Sequence, residues 1–450
     1  MEKITVNEIA LATGGKLFCE DKNAMISSVS IDSRSISEDT LFVALKGEKS
    51  DGHDYIEKAF ENGAVAVLCE KEISSNKPFV VVENTQKALG QLAKYYKKKF
   101  KIKTVSVTGS VGKTTTKDML FSVMNTQYHT LKTEGNFNNE LGLPLTIFKI
   151  NSSHEAAVLE MGMSAFGEIS YLSDIAKPDV AIITNIGMSH IENLGSQEGI
   201  FKAKTEICEN FNQDNLLIVN ADDKYLKKAL EFKGFNVIGY GIETECDYMA
   251  RDIENLGLGG TKFTTSIYNR DYRIHIKVPG VHNVYNALAA IICGVWYNIS
   301  PNRIVDGIEN FSLTAMRMSI EKVGSYTLIN DCYNSSPDSV KAALKVLKTQ
   351  NTRKVAILGD ILEMGDYAKD AHYKLGKEVV DNNIDLLITA GENAKYIADG
   401  ARDSGIKEAI SFDDTNALVE NIKKLIKEND SILIKASRGM HFEDVVNEIK

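Results

Sequence analysis

A chain of 450 residues is about three times what one hydrophobic core usually organises, so two or three domains with a cleft between them are expected. With 43% apolar and 25% charged residues the composition is that of a globular protein, which excludes a disordered or fibrous one. The 61 acidic and 52 basic residues leave a net charge of −9, so no overall basic field draws the chain to nucleic acid or anionic lipid.

The opening MEKITVNEIA has neither a basic start nor an apolar core, and the most apolar run, 288–297, is too short to span a bilayer; a cytoplasmic protein without a transmembrane segment is expected. Residues 1–84 alternate short β-type runs (41–45, 64–68, 79–82) with helical pieces such as 55–62, which reads as a small α/β domain. The six cysteines, Cys19, Cys69, Cys208, Cys246, Cys293 and Cys332, share no C-x-x-C spacing, and buried free thiols are expected. A basic amphipathic helix follows over 85–100, with Leu89, Leu92, Ala93 and Tyr96 on one face and a solvated face for Lys97, Lys98 and Lys99.

From Lys103 strand-length apolar runs (104–107, 157–160, 180–184, 216–220) alternate with helix-length stretches, the pattern of a parallel sheet buried on both faces. The first run leads into Thr108-Gly109-Ser110-Val111-Gly112-Lys113-Thr114-Thr115. Here a glycine turn opens a helix whose free backbone N–H groups can hold phosphate oxygens. Lys113 would reach the β and γ phosphates and the Thr114 hydroxyl a Mg2+ ion. A strict P-loop has a Gly where Val107 stands, and an ordinary strand-to-helix turn is the structural alternative. Glu160 ends its apolar run, which aims a carboxylate at the crevice where ligands of such sheets bind and makes it a candidate Mg2+ ligand. His190 follows the end of the next strand, as a ligand or a structural histidine. Lys204 lies in a helical stretch, 199–209, where a solvated helix with a Lys202–Glu206 pair is the plain reading. Residues 246–278, with a turn at Gly257–Gly260, read as antiparallel hairpins appended to the sheet. Strands at 327–330, 355–358, 386–389 and 432–435, alternating with helices near 338–348, 367–381, 415–428 and 441–449, make a third, doubly wound unit. The expected fold class is therefore α/β, in three domains: 1–84, a central P-loop ATPase domain at 85–312, and a Rossmann-like domain at 313–450.

These pieces resemble the Mur ligase family, the ATP-dependent amide-forming enzymes of peptidoglycan precursor synthesis. The likeness is carried by T-G-S-V-G-K-T-T at 108–115, G-N-F-N-N-E-L-G-L-P at 135–144, Glu160-Met161-Gly162, Asn185-Ile186-Gly187 with His190, Ala203-Lys204, G-V-H-N-V-Y-N-A-L-A-A at 280–290, Arg317, and Asp331-Cys332-Tyr333-Asn334. Within it, Asp32-Ser33-Arg34, F-V-A-L-K-G at 42–47, D-C-Y-N-S-S-P at 331–337 and L-G-D-I-L-E-M-G at 358–365 are similar to the branch that adds D-alanyl-D-alanine, and the D-N-P-R of the diaminopimelate-adding branch is absent.

The resemblance implies that Asp32, Ser33, Arg34, Lys46 and Gly47 surround the uridine diphosphate end of UDP-N-acetylmuramoyl-tripeptide, with Asn136, Asn138 and Asn139 near the sugar and phosphates. It implies that Gly109, Ser110, Val111, Gly112, Lys113, Thr114 and Thr115 hold the ATP phosphates. His282, Asn283 and Asn286 lie on the adenine side in that reading, with Arg317 and Asp331 reaching ATP. Two Mg2+ ions are implied on Thr114, Glu160, His190 and Lys204, the last as a carbamate formed with CO2. Lys113, Glu160, His190 and Lys204 form the catalytic set, and Asn334, Asp360, Ser437 and Arg438 are candidates to hold D-alanyl-D-alanine, with loop capping and surface pairing as their alternative. The implied reaction is two-step amide synthesis through an acyl phosphate, by a monomer. Another Mur-type amino-acid ligase, a P-loop small-molecule kinase and a nucleotide-gated scaffold are the competing readings. The third residue of the tripeptide and the base for the amine stay open.

Overall fold

The computed structural model describes residues 1–19, 21–48, 50–313 and 316–450. In its middle, successive strand residues bury toward opposite sides. Val105, Val107, Val158, Ile182 and Ile218 pack with the helix His282–Trp296, whereas Leu159, Ile183, Leu217 and Val219 belong to a different apolar cluster. Burial on both faces belongs to an all-parallel sheet. The central sheet has seven parallel strands, in the order Tyr248–Met249, Asn236–Gly241, Leu216–Asn220, Val180–Ile183, Lys103–Thr108, Ala156–Glu160, Thr130–Lys132. The chain leaves Lys103–Thr108, runs to the Thr130–Lys132 edge, comes back through Ala156–Glu160 and crosses to Val180–Ile183. The strand order thus reverses beside the carboxyl end of Lys103–Thr108, which is where open α/β sheets bind ligands.

The N-terminal sheet has five strands in the order Lys16–Phe18, Phe79–Val81, Ala64–Cys69, Thr40–Val43, Ser28–Ser30, parallel except at the first edge. The helix Thr85–Lys97 joins it to the central region, capped by the Asn84 side chain accepting from the Lys87 N–H. Lys97, expected on a solvated face, is instead buried, with Nζ 3.4 Å from the Lys177 carbonyl, and burial lowers its pKa. Three successive residues advance about 100° apiece around a helix and cannot all face water when the opposite side is packed.

The hairpins expected over 246–278 form a separate three-stranded antiparallel sheet, Arg251–Asn255, Thr261–Ile267 and Arg270–Ile276. Phe263, Ile267, Ile274 and Ile276 bury it against the helix His282–Trp296. Only Tyr248–Met249 from that stretch joins the central sheet. The C-terminal sheet has six strands, Ser319–Val323, Tyr326–Asn330, Ser431–Lys435, Lys354–Gly359, Leu386–Ala390 and Ala409–Phe412, with an antiparallel hairpin at its first edge. Among the described residues no helix is long and apolar enough to cross a membrane.

Candidate active site

The carboxyl ends of the central strands face the C-terminal sheet across a cleft of about 1080 Å3. The phosphate loop forms its floor, and the loop's shape depends on two glycines with positive φ, Gly109 at 151° and Gly112 at 85°. A Cβ on Gly109 would lie 1.8 Å from Thr184 Oγ1, and one on Gly112 would lie 3.0 Å from Asn286 Oδ1. Asn185 Oδ1 accepts from the Ser110 and Val111 N–H groups at 3.1 and 2.8 Å, and the Thr184 hydroxyl donates to the Val111 carbonyl at 2.6 Å. Lys113 Nζ folds back onto the Gly109 carbonyl at 2.7 Å, and burial lowers its pKa. The helix Lys113–Met124 starts at this turn, so its N-terminal end points into the cleft.

Glu160 is buried at the end of its strand, next to the loop's strand. Asn138 Nδ2 donates to its Oε1 at 2.9 Å, while Oε2 has no hydrogen-bond partner among the described residues. An orphaned carboxylate oxygen beside a threonine hydroxyl and a phosphate cradle fits Mg2+, which takes one or two carboxylates and completes its shell with phosphate oxygens and water. Among the described residues no group of three or more His, Cys, Asp or Glu side chains could hold a metal by itself.

His190, in a left-handed conformation with φ 62°, turns toward the C-terminal sheet. Its Nδ1 lies 2.6 Å from Glu363 Oε2, close but poorly aligned for a hydrogen bond, and the imidazole holds the Glu363 carboxyl below its ordinary range. Lys204 is not on the solvated helix of the plain reading. It is 2% exposed, outside the cleft lining, and without an ion-pair or hydrogen-bond partner among the described residues. Burial first, then the Lys113 charge, drives its pKa well below the usual value. The Lys202–Glu206 pair is replaced as well: Glu206 accepts from the Gly167 N–H at 2.9 Å and the Ser170 N–H at 3.2 Å. Those amides at the start of the helix Glu168–Ala176 need an acceptor.

Of the residues assigned to adenine, His282 lines the cleft, its pKa lowered to about 4 by burial against the opposing pull of Asp331. Asn283 and Asn286 line it too, yet their side chains serve the fold. Thr116 Oγ1 donates to Asn286 Oδ1 at 3.0 Å, Asn286 Nδ2 to Asn283 Oδ1 at 3.0 Å, and Asn283 Nδ2 to the Pro279 carbonyl at 2.8 Å, tying the helix His282–Trp296 to the phosphate-loop helix. From the opposite wall Arg317 stacks over Tyr333 at 4.1 Å, and the Asp331 carboxylate receives Lys435 Nζ at 2.6 Å. Asn136, Asn139, Thr115, Asn334 and Arg438 also line the cleft.

Asp360 and Ser437 do not line it. The Asp360 carboxylate accepts from the Asn393 and Ala394 N–H groups at 3.0 and 2.6 Å, in the loop before the helix that begins at Lys395. The Ser437 hydroxyl accepts from the Leu362 N–H at 3.0 Å. Both are buried, and the capping alternative describes them. The uridine candidates lie elsewhere. Arg34 is paired side by side with Asp32 at 2.9 Å and largely exposed, Ser33 lends its carbonyl to Asn62, and Lys46 and Gly47 are exposed. Asp32 borders a second cavity of about 610 Å3, closed on its other side by Phe137, Thr146 and Lys149. Among the cleft residues to which the sequence assigned no role are Lys435 and Glu363. Lys435 ends an apolar strand as Glu160 does, a signal that was available, whereas Glu363 carried none.

Three family models match: Mur ligase family, catalytic domain, at 25–97; Mur ligase middle domain at 107–294; and Mur ligase, glutamate ligase domain, at 316–438. The UDP-N-acetylmuramoyl-tripeptide–D-alanyl-D-alanine ligase of Bacillus subtilis is 40% identical, over 100% of this chain and 99% of its own length. That of Escherichia coli is 30% identical, over 100% and 99%. A crystal structure of MurF from Acinetobacter baumannii superposes with a TM-score of 0.93 at 31% identity, covering 100% of this chain and 99% of that one. MurF ligase from Thermotoga maritima, in complex with ADP, superposes at 0.84 with 28% identity over 94% and 96%.

Proposed function

This chain belongs to the Mur ligase family, and from that membership we propose that it is the ATP-dependent ligase that joins D-alanyl-D-alanine to UDP-N-acetylmuramoyl-tripeptide, releasing ADP and phosphate. The observation that carries this reading is the facing of the phosphate loop and Glu160 with Arg317, Asp331 and Lys435 across one cleft.

A carboxylate is a poor acyl donor until one oxygen becomes a good leaving group. The chain's task is to hold the γ-phosphoryl group of ATP in line with the tripeptide's terminal carboxylate, so that an acyl phosphate forms. The dipeptide amine then attacks, and phosphate departs from a tetrahedral intermediate. Such transfers need positioning and charge neutralisation more than a protein nucleophile. Lys113, freed from the Gly109 carbonyl, reaches the β and γ oxygens, and the loop N–H groups hold the phosphates. Mg2+, when bound, would neutralise phosphate charge; Thr114 and Glu160 would hold one ion, and His190 and Lys204 would assist a second. Burial disfavours the charged form of Lys204, and its free amine would add to CO2, losing a proton to give the anionic carbamate. Arg317 and Lys435 bring positive charge from the far wall, and Asn334 and Arg438 receive the dipeptide. The cavity beside Asp32 takes the uridine end. Closure of 313–450 over 85–312 keeps water from the acyl phosphate. A monomer working in the cytoplasm completes this proposal.

The test is an acceptor screen. With ATP and UDP-tripeptide present, phosphate release is expected with D-alanyl-D-alanine and not with single amino acids. Release supported by a single amino acid, or by none, overturns the assignment.

A further inference from the structure

The helix that follows the phosphate loop turns two charged side chains inward, Lys117 and Asp118, each 2% exposed. Lys117 Nζ lies 3.5 Å from Asp118 Oδ1 and 4.0 Å from Glu160 Oε2. Lys132, on the edge strand Thr130–Lys132, reaches the same Asp118 oxygen at 2.7 Å. Lys132, Asp118, Lys117 and Glu160 therefore alternate in sign from the outer edge of the central sheet to the cleft. Neither Lys117 nor Asp118 is among the residues that line the cleft.

Burying an ammonium is costly, and a bare cation beside a metal carboxylate would repel the metal. Something must be gained by placing it there. Glu160 is otherwise held at its backbone N–H, which donates to Thr133 Oγ1 at 3.0 Å, and at Oε1 by Asn138. Oε2 has no hydrogen-bond donor among the described residues; the Lys117 ammonium lies 4.0 Å from it, while Lys113, which also feels the Glu160 charge, is held by the Gly109 carbonyl.

We propose that Lys117 is a positioning residue for Glu160: anchored by Asp118, its ammonium fixes the plane of the carboxylate so that Oε2 is presented to the divalent cation that accompanies the nucleotide. Lys117 is closer to Asp118 than to Glu160, so it stays paired when the metal takes Oε2. The inference rests on the reading of Glu160 as a metal ligand.

The test is Mn2+ binding to the ADP-loaded full chain, followed by electron paramagnetic resonance, with melting curves to check folding. Lys117→Met is expected to weaken Mn2+ binding about tenfold, the scale on which metal sites respond to losing an outer partner of a ligand. Lys117→Arg keeps the charge with a different reach and should fall between. Were charge repulsion the only effect, Lys117→Met would bind Mn2+ more tightly. Equal or tighter binding in Lys117→Met, with weakened binding in Glu160→Gln, overturns the positioning role and leaves the metal reading of Glu160 standing. Unchanged binding in Glu160→Gln overturns both. If Lys117→Met does not fold, Lys117→Arg decides, and wild-type Mn2+ affinity in it overturns the proposal.

Discussion

Replacing Gly109 with alanine should cost the phosphate loop both its shape and its ligand. The φ of 151° is one that side chains avoid, and the added Cβ would stand 1.8 Å from Thr184 Oγ1, 3.0 Å from Thr184 Cβ and 3.1 Å from the Thr184 nitrogen. Swinging the hydroxyl away breaks its bond to the Val111 carbonyl. Moving the backbone breaks the Thr184 N–H bond to the Thr108 carbonyl at 3.0 Å, which joins two central strands at their ends. Backbone strain of about 1–3 kcal/mol, overpacking of about 1–3 kcal/mol and one hydrogen bond of about 1 kcal/mol sum to about 3–7 kcal/mol. Urea denaturation and ADP titration calorimetry measure the two consequences, a lower midpoint and lost nucleotide heat. Adding Thr184→Ala should recover the overpacking part and not the backbone part. Gly109→Ala with a stability within about 0.5 kcal/mol of the parent, the size of an ordinary surface change, and with intact ADP binding would refute this account of the loop.

Lys204→Ala is expected to lose turnover and to regain part of it with added short-chain carboxylic acids, which replace the carbamate's oxygens; full activity of the unsupplemented variant in a phosphate-release assay contradicts the carbamate. His282 has its pKa lowered from 6.5 to about 4, so it is neutral in the fold while the unfolded chain takes up a proton. Its contribution is complete above pH 6.5 and is lost as pH falls toward 4. A tenfold difference in proton affinity between the folded and unfolded chain is worth about 1.4 kcal/mol, so the whole contribution, less what water screens, amounts to about 2–3 kcal/mol. His282→Gln should flatten the denaturation midpoint across that window. Gly187→Ala places a Cβ 2.6 Å from Asp338 Oδ2, a carboxylate of the C-terminal domain. That oxygen is the far end of a flexible side chain and can swing aside, so turnover should fall by less than about tenfold with an unchanged radius of gyration by small-angle scattering, and a larger loss would contradict this.

The phosphate loop was legible because every part of it is contiguous: an apolar strand, two glycines and the Lys113-Thr114 pair. The place of Glu160 in the cleft was legible because a residue closing a buried parallel strand sits where such sheets bind ligands, and Lys435 carries the same signal. Lys204 was not, since its burial depends on what packs over the helix Gln197–Thr205 rather than on that helix's own spacing. The same holds for Lys97, buried by one-sided packing, and for Asp360 and Ser437, whose partners come from segments distant in sequence. Short elements such as Ser319–Val323 and Ala409–Phe412 escape periodicity because edge strands are buried on neither face completely. The pairing of His190 with Glu363 joins two domains, and no local pattern encodes it.

The central claim is that nucleotide phosphates seated at the start of the Lys113 helix activate a carboxylate. Hydroxylamine added to enzyme, ATP and UDP-tripeptide, with no dipeptide present, tests it most directly by mass spectrometry of the trapped product. A hydroxamate at the tripeptide's terminal carboxyl, formed together with ADP, is the predicted result. ATP turnover that yields a stable phosphorylated product and no hydroxamate would contradict it.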